Sequence, residues 1–134
     1  MRPGLRARRA ALLWAAVGLL GGPALAQAGG PPAGDPARGQ RVYESKCGAC
    51  HSPDVDRTGP HHAGVVGRRA GSLPGFEYSA ALKASRIVWT AQTLDRWLTN
   101  PEAVVPGQEM GFQLGDAEQR ADVIAYLATL KPLR

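Results

Sequence analysis

Apolar and polar positions divide this chain into one unbroken apolar run near its start and three amphipathic stretches further on. Ala10 to Leu20 is apolar throughout and interrupted only by Gly18. Asp35 to Cys47 carries Val42 and Tyr43 on one face, with Gly39 preceding them. Thr93 to Leu98 places Leu94, Trp97 and Leu98 at helical spacing. Asp116 to Leu130 is the strongest pattern, with Val123, Ile124, Leu127 and Leu130 forming an apolar stripe. Recurrence at three- and four-residue intervals predicts a helix in each of the last three stretches. Asp35 is placed to cap the first helix, and Pro36 suits its first turn. No internal repeat is visible.

The first stretch has a different meaning. Arg2, Arg6, Arg8 and Arg9 precede the apolar run, and Pro23-Ala24-Leu25-Ala26 follows it with small residues. That order is the pattern of a secretory signal peptide over residues 1–26. The run is short of the roughly 20 residues that a spanning helix needs, so no stable membrane insertion is expected once the leader is cleaved. An uncleaved N-terminal anchor is the alternative, and lipid attachment is not expected because no cysteine lies near the cleavage site. Residues 27–34, QAGGPPAG, read as a flexible tether, and 35–134 as a single domain. An exported chain of this kind is expected in the periplasm.

Removing the leader changes the charge. The whole chain has 16 Lys and Arg against 11 Asp and Glu. Four of the arginines belong to the leader, and the remainder is close to neutral. Charge therefore gives no support to nucleic-acid binding.

The only two cysteines stand in CGACHSP, with His51 directly after Cys50. A Cys47–Cys50 disulfide would close a very small loop and stabilise little. A thioredoxin-like redox pair would follow a strand in a βαβ pattern, which is not seen. A zinc site could be assembled from Cys47, Cys50, His51 and His61 or His62, but the spacing does not match the usual finger patterns. The remaining reading is C-x-x-C-H as the attachment site of one covalent haem c. Three residues make about one helical turn, so both sulfurs can meet the same porphyrin edge as thioethers while His51 offers a ring nitrogen to iron. An export signal and the lack of any other cysteine strengthen this reading.

Iron bound in that way wants a sixth ligand. Met1 leaves with the leader, so Met110 in VPGQEMGF is the only thioether left. A lone methionine is usually a core residue, yet this one sits in a polar loop after Pro106-Gly107 and before Gly111. His61 and His62 compete for the role, but they follow His51 by only ten and eleven residues. Metal ligation is therefore expected from His51 and Met110.

With those residues in place, the chain resembles class I cytochromes c of bacterial type from about Gly39 to Leu130. The likeness rests on CGACH, TGPHHAGVVGR, PGFEYSAAL, VWTAQTLDRWLTNP, VPGQEMGF and DVIAYLATL, which occur in that order. It implies a small all-α fold wrapped around one haem, with the first and last helices crossing at Gly39, Tyr43, Val123 and Tyr126. It also implies that the Pro60 carbonyl accepts a hydrogen bond from His51, and that Arg68, Tyr78 and Trp89 hold a haem propionate. Phe112 is expected to cover the haem edge. A core this small is modest without its cofactor, so the haem-free chain is expected to fold poorly.

Departures from the resemblance matter too. His62 stands where the family commonly has leucine, Trp97 where a tyrosine often lies near the ligand sulfur, and Gln108 where many members have threonine. Glu102, Ala103 and Glu109 stand where mitochondrial members carry lysines, so the partner is not expected to dock through a strongly acidic patch.

A His/Met-ligated iron has no open position for substrate. The expectation is a non-enzymatic, single-electron carrier between redox partners: a donating dehydrogenase or membrane complex and an acceptor. A cytochrome subunit of a stable periplasmic dehydrogenase complex is the alternative. A peroxidatic or ligand-binding haem protein, in which Met110 dissociates, is a third reading, and a haem-free thiol or zinc protein a fourth.

Overall fold

The computed structural model describes residues 33–134. The expected signal peptide and most of the expected tether lie outside the described residues. Five helices follow in order: α1 (Pro36–Lys46), α2 (Ala80–Ala84), α3 (Ala91–Thr99), α4 (Pro101–Val104) and α5 (Ala117–Thr129). There is no strand among the described residues, only an isolated antiparallel bridge between Arg69 and Val88. The fold is all-α, as the periodicity and the resemblance led us to expect. None of the described helices is long and apolar enough to cross a membrane.

Each helix starts where a side chain can satisfy its unpaired amides. Asp35 accepts from the Arg38 amide at 2.8 Å, with Pro36 in the first turn. Thr90 and Thr93 satisfy each other's amides at the head of α3, which therefore begins two residues before the predicted stretch. Asp116 accepts from the amides of Glu118 and Gln119 to start α5. The two short helices are capped in the same way, α2 by Ser79 and α4 by Asn100.

The fold is closed where α1 crosses α5. A Cβ on Gly39 would run into the Asp122 carbonyl and lie 2.9 Å from the Tyr126 Cβ. Any side chain there would force the helices apart, and such overpacking costs about 1–3 kcal/mol. Gly34, the last residue of the stretch expected to be a tether, packs in the same manner against the Ala121 carbonyl. Around the crossing, the Tyr43 and Tyr126 rings lie 5.3 Å apart and Val123 is fully buried.

One charged group is buried at this junction. The Asp122 carboxylate is only 4% exposed and accepts from Arg38 Nε at 2.7 Å, Arg38 Nη2 at 2.9 Å and the Asp35 amide at 2.7 Å. A buried carboxylate is tolerated when its oxygens are hydrogen-bonded and paired. Asp35 caps α1 and also donates its amide to α5, so the start of one helix is tied to the middle of the other.

Arg38 and the Asp35 amide hold the Asp122 carboxyl below the usual carboxylate range. A depressed folded-state value means that the stabilisation is complete above about pH 3.9, the unfolded value, and is lost as pH falls through the folded one. Asp122→Asn is therefore expected to flatten the acid limb of stability below about pH 4, measured by denaturant titration at a series of pH values. An acid limb as steep as that of the parent would show that this carboxylate is not linked to folding.

Candidate haem site

The turn that ends α1 carries the Cys-Gly-Ala-Cys-His segment, and backbone bonds hold it. The Cys47 amide donates to the Tyr43 carbonyl at 2.8 Å, and the His51 amide to the Cys47 carbonyl at 2.9 Å. Cys47 is half-buried, Cys50 is exposed, and the two are not joined to each other. Burial pushes the Cys47 thiol up to about 11. Thiols that act in redox exchange are shifted the other way, so the environment of Cys47 argues against that reading.

His51 is gripped from several directions. Its Nδ1 lies 2.8 Å from the Pro60 carbonyl. A carbonyl can only accept, so Nδ1 carries the proton and Nε2 keeps its lone pair. Burial lowers the pKa of the ring and the bond to Pro60 opposes that, and the net effect favours the neutral, ligating form. Gly59 presses on the same ring: a Cβ there would lie 2.6 Å from Nδ1 and 2.7 Å from Nε2. This is a steric demand, since the Gly59 backbone is not left-handed. The TGP run contained the signal, but nothing in one sequence says that a glycine eight residues away meets a particular imidazole.

On its other contacts His51 stacks with His62, the centroids 4.3 Å apart and the planes 22° from parallel. His62 Nδ1 in turn lies 3.0 Å from the Tyr43 hydroxyl. Burial, helped by His51 and Arg68, pushes the His62 ring down to about 3, so it is neutral. His61 turns away to Asp56, with Nδ1 2.8 Å from Oδ1, and it does not reach the cavity wall.

The ten residues singled out from the sequence line one cavity of about 390 Å³. Cys47, Cys50, His51 and Pro60 come from the turn after α1 and the loop that follows it. Arg68, Tyr78 and Trp89 come from the middle loops, Trp97 from α3, and Met110 and Phe112 from the loop before α5. Tyr43, Leu94, Leu98, Val123 and Leu127 complete an apolar wall. A second groove, of about 400 Å³, runs beside α1 and α5, but charged side chains dominate it and it holds no cysteine, histidine or methionine.

Two features of the wall fit a flat apolar macrocycle with carboxylate arms. Tyr78 and Trp89 line the cavity beside Arg68, which donates to the Ala63 and His61 carbonyls, each at 3.0 Å. Among the described residues no carboxylate forms an ion pair with Arg68. A half-buried guanidinium without a protein anion suits a carboxylate supplied by a ligand. The bridge between Arg69 and Val88 sets this corner: the Trp89 amide donates to the Arg68 carbonyl at 2.9 Å, and the Gly67 amide to the Trp89 carbonyl at 2.7 Å. Trp89 also meets Trp97 edge to face at 5.1 Å.

The Met110 loop is tied at both ends. Gly107, at φ +85°, turns the chain and donates its amide to Glu102 at 3.0 Å. The Leu114 amide donates to the Leu98 carbonyl at 2.7 Å. Gln108 turns back to accept the Met110 amide, so the residue found at a threonine position braces this loop. Glu102 is spent on the same brace, a use that its place among expected surface charges did not suggest.

A helical shell with paired cysteines and an adjoining histidine at the mouth of an apolar cavity defines a c-type haem protein. The family model for cytochrome c matches residues 36–131. Cytochrome c2 of Rhodomicrobium vannielii is 49% identical over 104 residues, covering 72% of this chain and 80% of its own. Cytochrome c 2.1 of Caenorhabditis briggsae is 46% identical over 99 residues, covering 72% of this chain and 88% of its own. The solved structure of cytochrome cH from Methylobacterium extorquens matches with a TM-score of 0.68 at 40% identity, over 72% of this chain and 99% of that one. The chain belongs to the cytochrome c family, as a class I member. It carries one haem c, covalently attached, with Cys47 and Cys50 at the attachment spacing, and it is an electron carrier.

Gly59→Ala is expected to push the His51 ring or its loop out of place. Less holoprotein should mature, and its melting temperature should fall by several degrees, as about 1 kcal/mol or more of overpacking does in a domain of this size. Thermal unfolding followed at the haem absorbance measures this. A variant as stable as its parent would mean that the contact relaxes freely.

Proposed function

We propose that this protein is a periplasmic, single-haem carrier of single electrons in which His51 and Met110 bind the iron from either side. One observation carries the reading: the Pro60 carbonyl accepts a hydrogen bond from His51 Nδ1–H, which leaves the Nε2 lone pair free to ligate in a cavity that the only methionine of the described residues also lines. Haem iron ligated by imidazole and thioether supplies a reversible one-electron exchange at a raised potential. His51 and Met110 leave no coordination position for substrate, which fits a carrier and not an enzyme.

The rest of the site prepares for that task. Arg68, Tyr78 and Trp89 hold a propionate, and Trp97 and Phe112 keep water from the iron. The apolar wall from Leu94, Leu98, Val123 and Leu127 disfavours the extra positive charge of the ferric state. Because these side chains are braced by backbone bonds, little has to reorganise when the electron moves. Export by the leader at residues 1–26 brings the chain to the compartment where thioether attachment takes place, and the expected partners are an electron-donating dehydrogenase or membrane complex and an acceptor.

A stable subunit of a dehydrogenase complex is favoured by the charge around the cavity mouth. Lys46, Glu77 and Glu109 stand there with mixed sign, and Glu77 is already paired with Lys83 at 2.9 Å. Such a rim offers little electrostatic steering. Size-exclusion of native extract separates the two: a carrier runs near monomer mass, a subunit with its complex.

Met110→Ala tests the ligand set. The weak far-red band of the ferric protein is expected to vanish, the reduced protein to bind carbon monoxide, and the midpoint to fall by at least about 120 mV, a hundredfold change in the redox ratio. An unaltered spectrum and midpoint would mean that another atom holds the sixth position. The rim makes a second prediction. Electron exchange with a natural partner is expected to change by less than about threefold between low and physiological salt, well below the 10- to 1000-fold range of strong steering. Stopped-flow rates against ionic strength check this, and a steep decline would contradict the weak steering expected of this rim.

A further inference from the structure

Tyr43, which is buried, and His62, which is half-buried in the cavity wall, are two polar groups beside His51, and neither belongs to the ligand set. Tyr43 is only 2% exposed. It is fixed by α1, with its ring against Tyr126 of α5 at 5.3 Å and edge-on to His62 at 5.6 Å. Its hydroxyl and His62 Nδ1 are 3.0 Å apart. The His62 backbone is also held, its amide donating to the Ser52 carbonyl at 3.0 Å. The ring so fixed lies almost flat on His51.

The buried Tyr43 hydroxyl is tolerated because it is paired with His62 Nδ1. Two apolar side chains of similar shape would fill the same space without that requirement. The polar pair adds direction and polarity. A hydrogen bond between hydroxyl and ring nitrogen fixes the rotation of His62, and with it the surface against which His51 can lie. A fixed dipole beside the imidazole ligand also makes the surroundings of the iron less apolar, which lowers the cost of ferric charge.

We propose that Tyr43 and His62 form a positioning pair for His51, which sets the orientation of its ring and lowers the reduction potential of the iron. The inference rests on His51 as the iron ligand. Neither residue touches the iron in this scheme, and both act through the ring they brace.

The test uses the mature holoprotein and its His62→Leu, Tyr43→Phe and double variants. The midpoint is read by spectroelectrochemical titration, and the ring orientation by the spread of the haem methyl resonances in the proton spectrum of the ferric protein. His62→Leu is expected to raise the midpoint, changing the redox ratio at a fixed poise by about threefold to tenfold, equivalent to about 30–60 mV. Tyr43→Phe should shift it in the same direction by less, and should add nothing once His62 is leucine. Both single variants should change the methyl spread.

A purely structural pair predicts otherwise: lower melting temperatures, with midpoint and methyl spread unchanged. That result would overturn the proposal. Tyr43→Phe removes one oxygen only, so if His62→Leu fails to mature it decides alone, an unmoved midpoint and spread counting against the pair. Failure of the ligand reading is seen separately, because the parent protein would then lack the methyl pattern of an imidazole-ligated low-spin iron.

Discussion

The side chains that make the core of this protein are largely the same ones that line its haem site. Tyr43, Val65, Trp89, Leu94, Trp97, Leu98, Val123 and Leu127 belong both to the buried cluster and to the cavity wall. A domain of this size has little apolar surface to spare. These eight residues shape the site and also hold the fold, so cofactor binding and folding free energy are linked. The scaffold that does not depend on the cavity is small. It consists of the α1–α5 crossing at Gly39, the Arg38–Asp122 pair and the capping bonds.

That constraint explains why so much of the site is set by backbone. The His51 ring is held by the Pro60 carbonyl and the flank of Gly59, Arg68 by two carbonyls, and Trp89 by the bridge to Arg68. Backbone groups keep their places more faithfully than long side chains do. A site made from them loses little order when the charge of the iron changes, which is what a carrier requires. The same economy appears in the Met110 loop, where the exposed Glu102 and the half-buried Gln108 brace the turn.

The parts legible in the sequence are those with local causes. Periodicity found α1, α3 and α5, because about two and a half turns or more repeat the apolar interval often enough to register. Asp35 and Pro36 marked the start of α1 because capping acts within a few residues. Five-residue α2 and four-residue α4 are too short for any period to show. The CGACH run was legible because the two thioethers and the axial ligand must come from adjacent positions. Contacts made across the fold were not legible: the Arg38–Asp122 pair spans 84 residues, and the clash that Gly59 avoids with His51 depends on how a loop returns. His62 lay in between. Its polarity marked it as out of place in a haem pocket, but its partner Tyr43 stands 19 residues earlier on another element.

The charge of the molecule is organised on the same division between interior and surface. Inside, Asp122 is neutralised by Arg38, while Arg68 faces the site without a protein carboxylate. Outside, Glu77 is matched by Lys83 and Asp95 by Arg120, at 2.9 and 2.8 Å. Exposed pairs such as Glu77–Lys83 contribute little to stability, and any long-range field is weak because cationic and acidic side chains are nearly balanced beyond the leader. With so little net charge the surface offers little long-range steering, which leaves shape and apolar contact at close range as the means of selecting a partner.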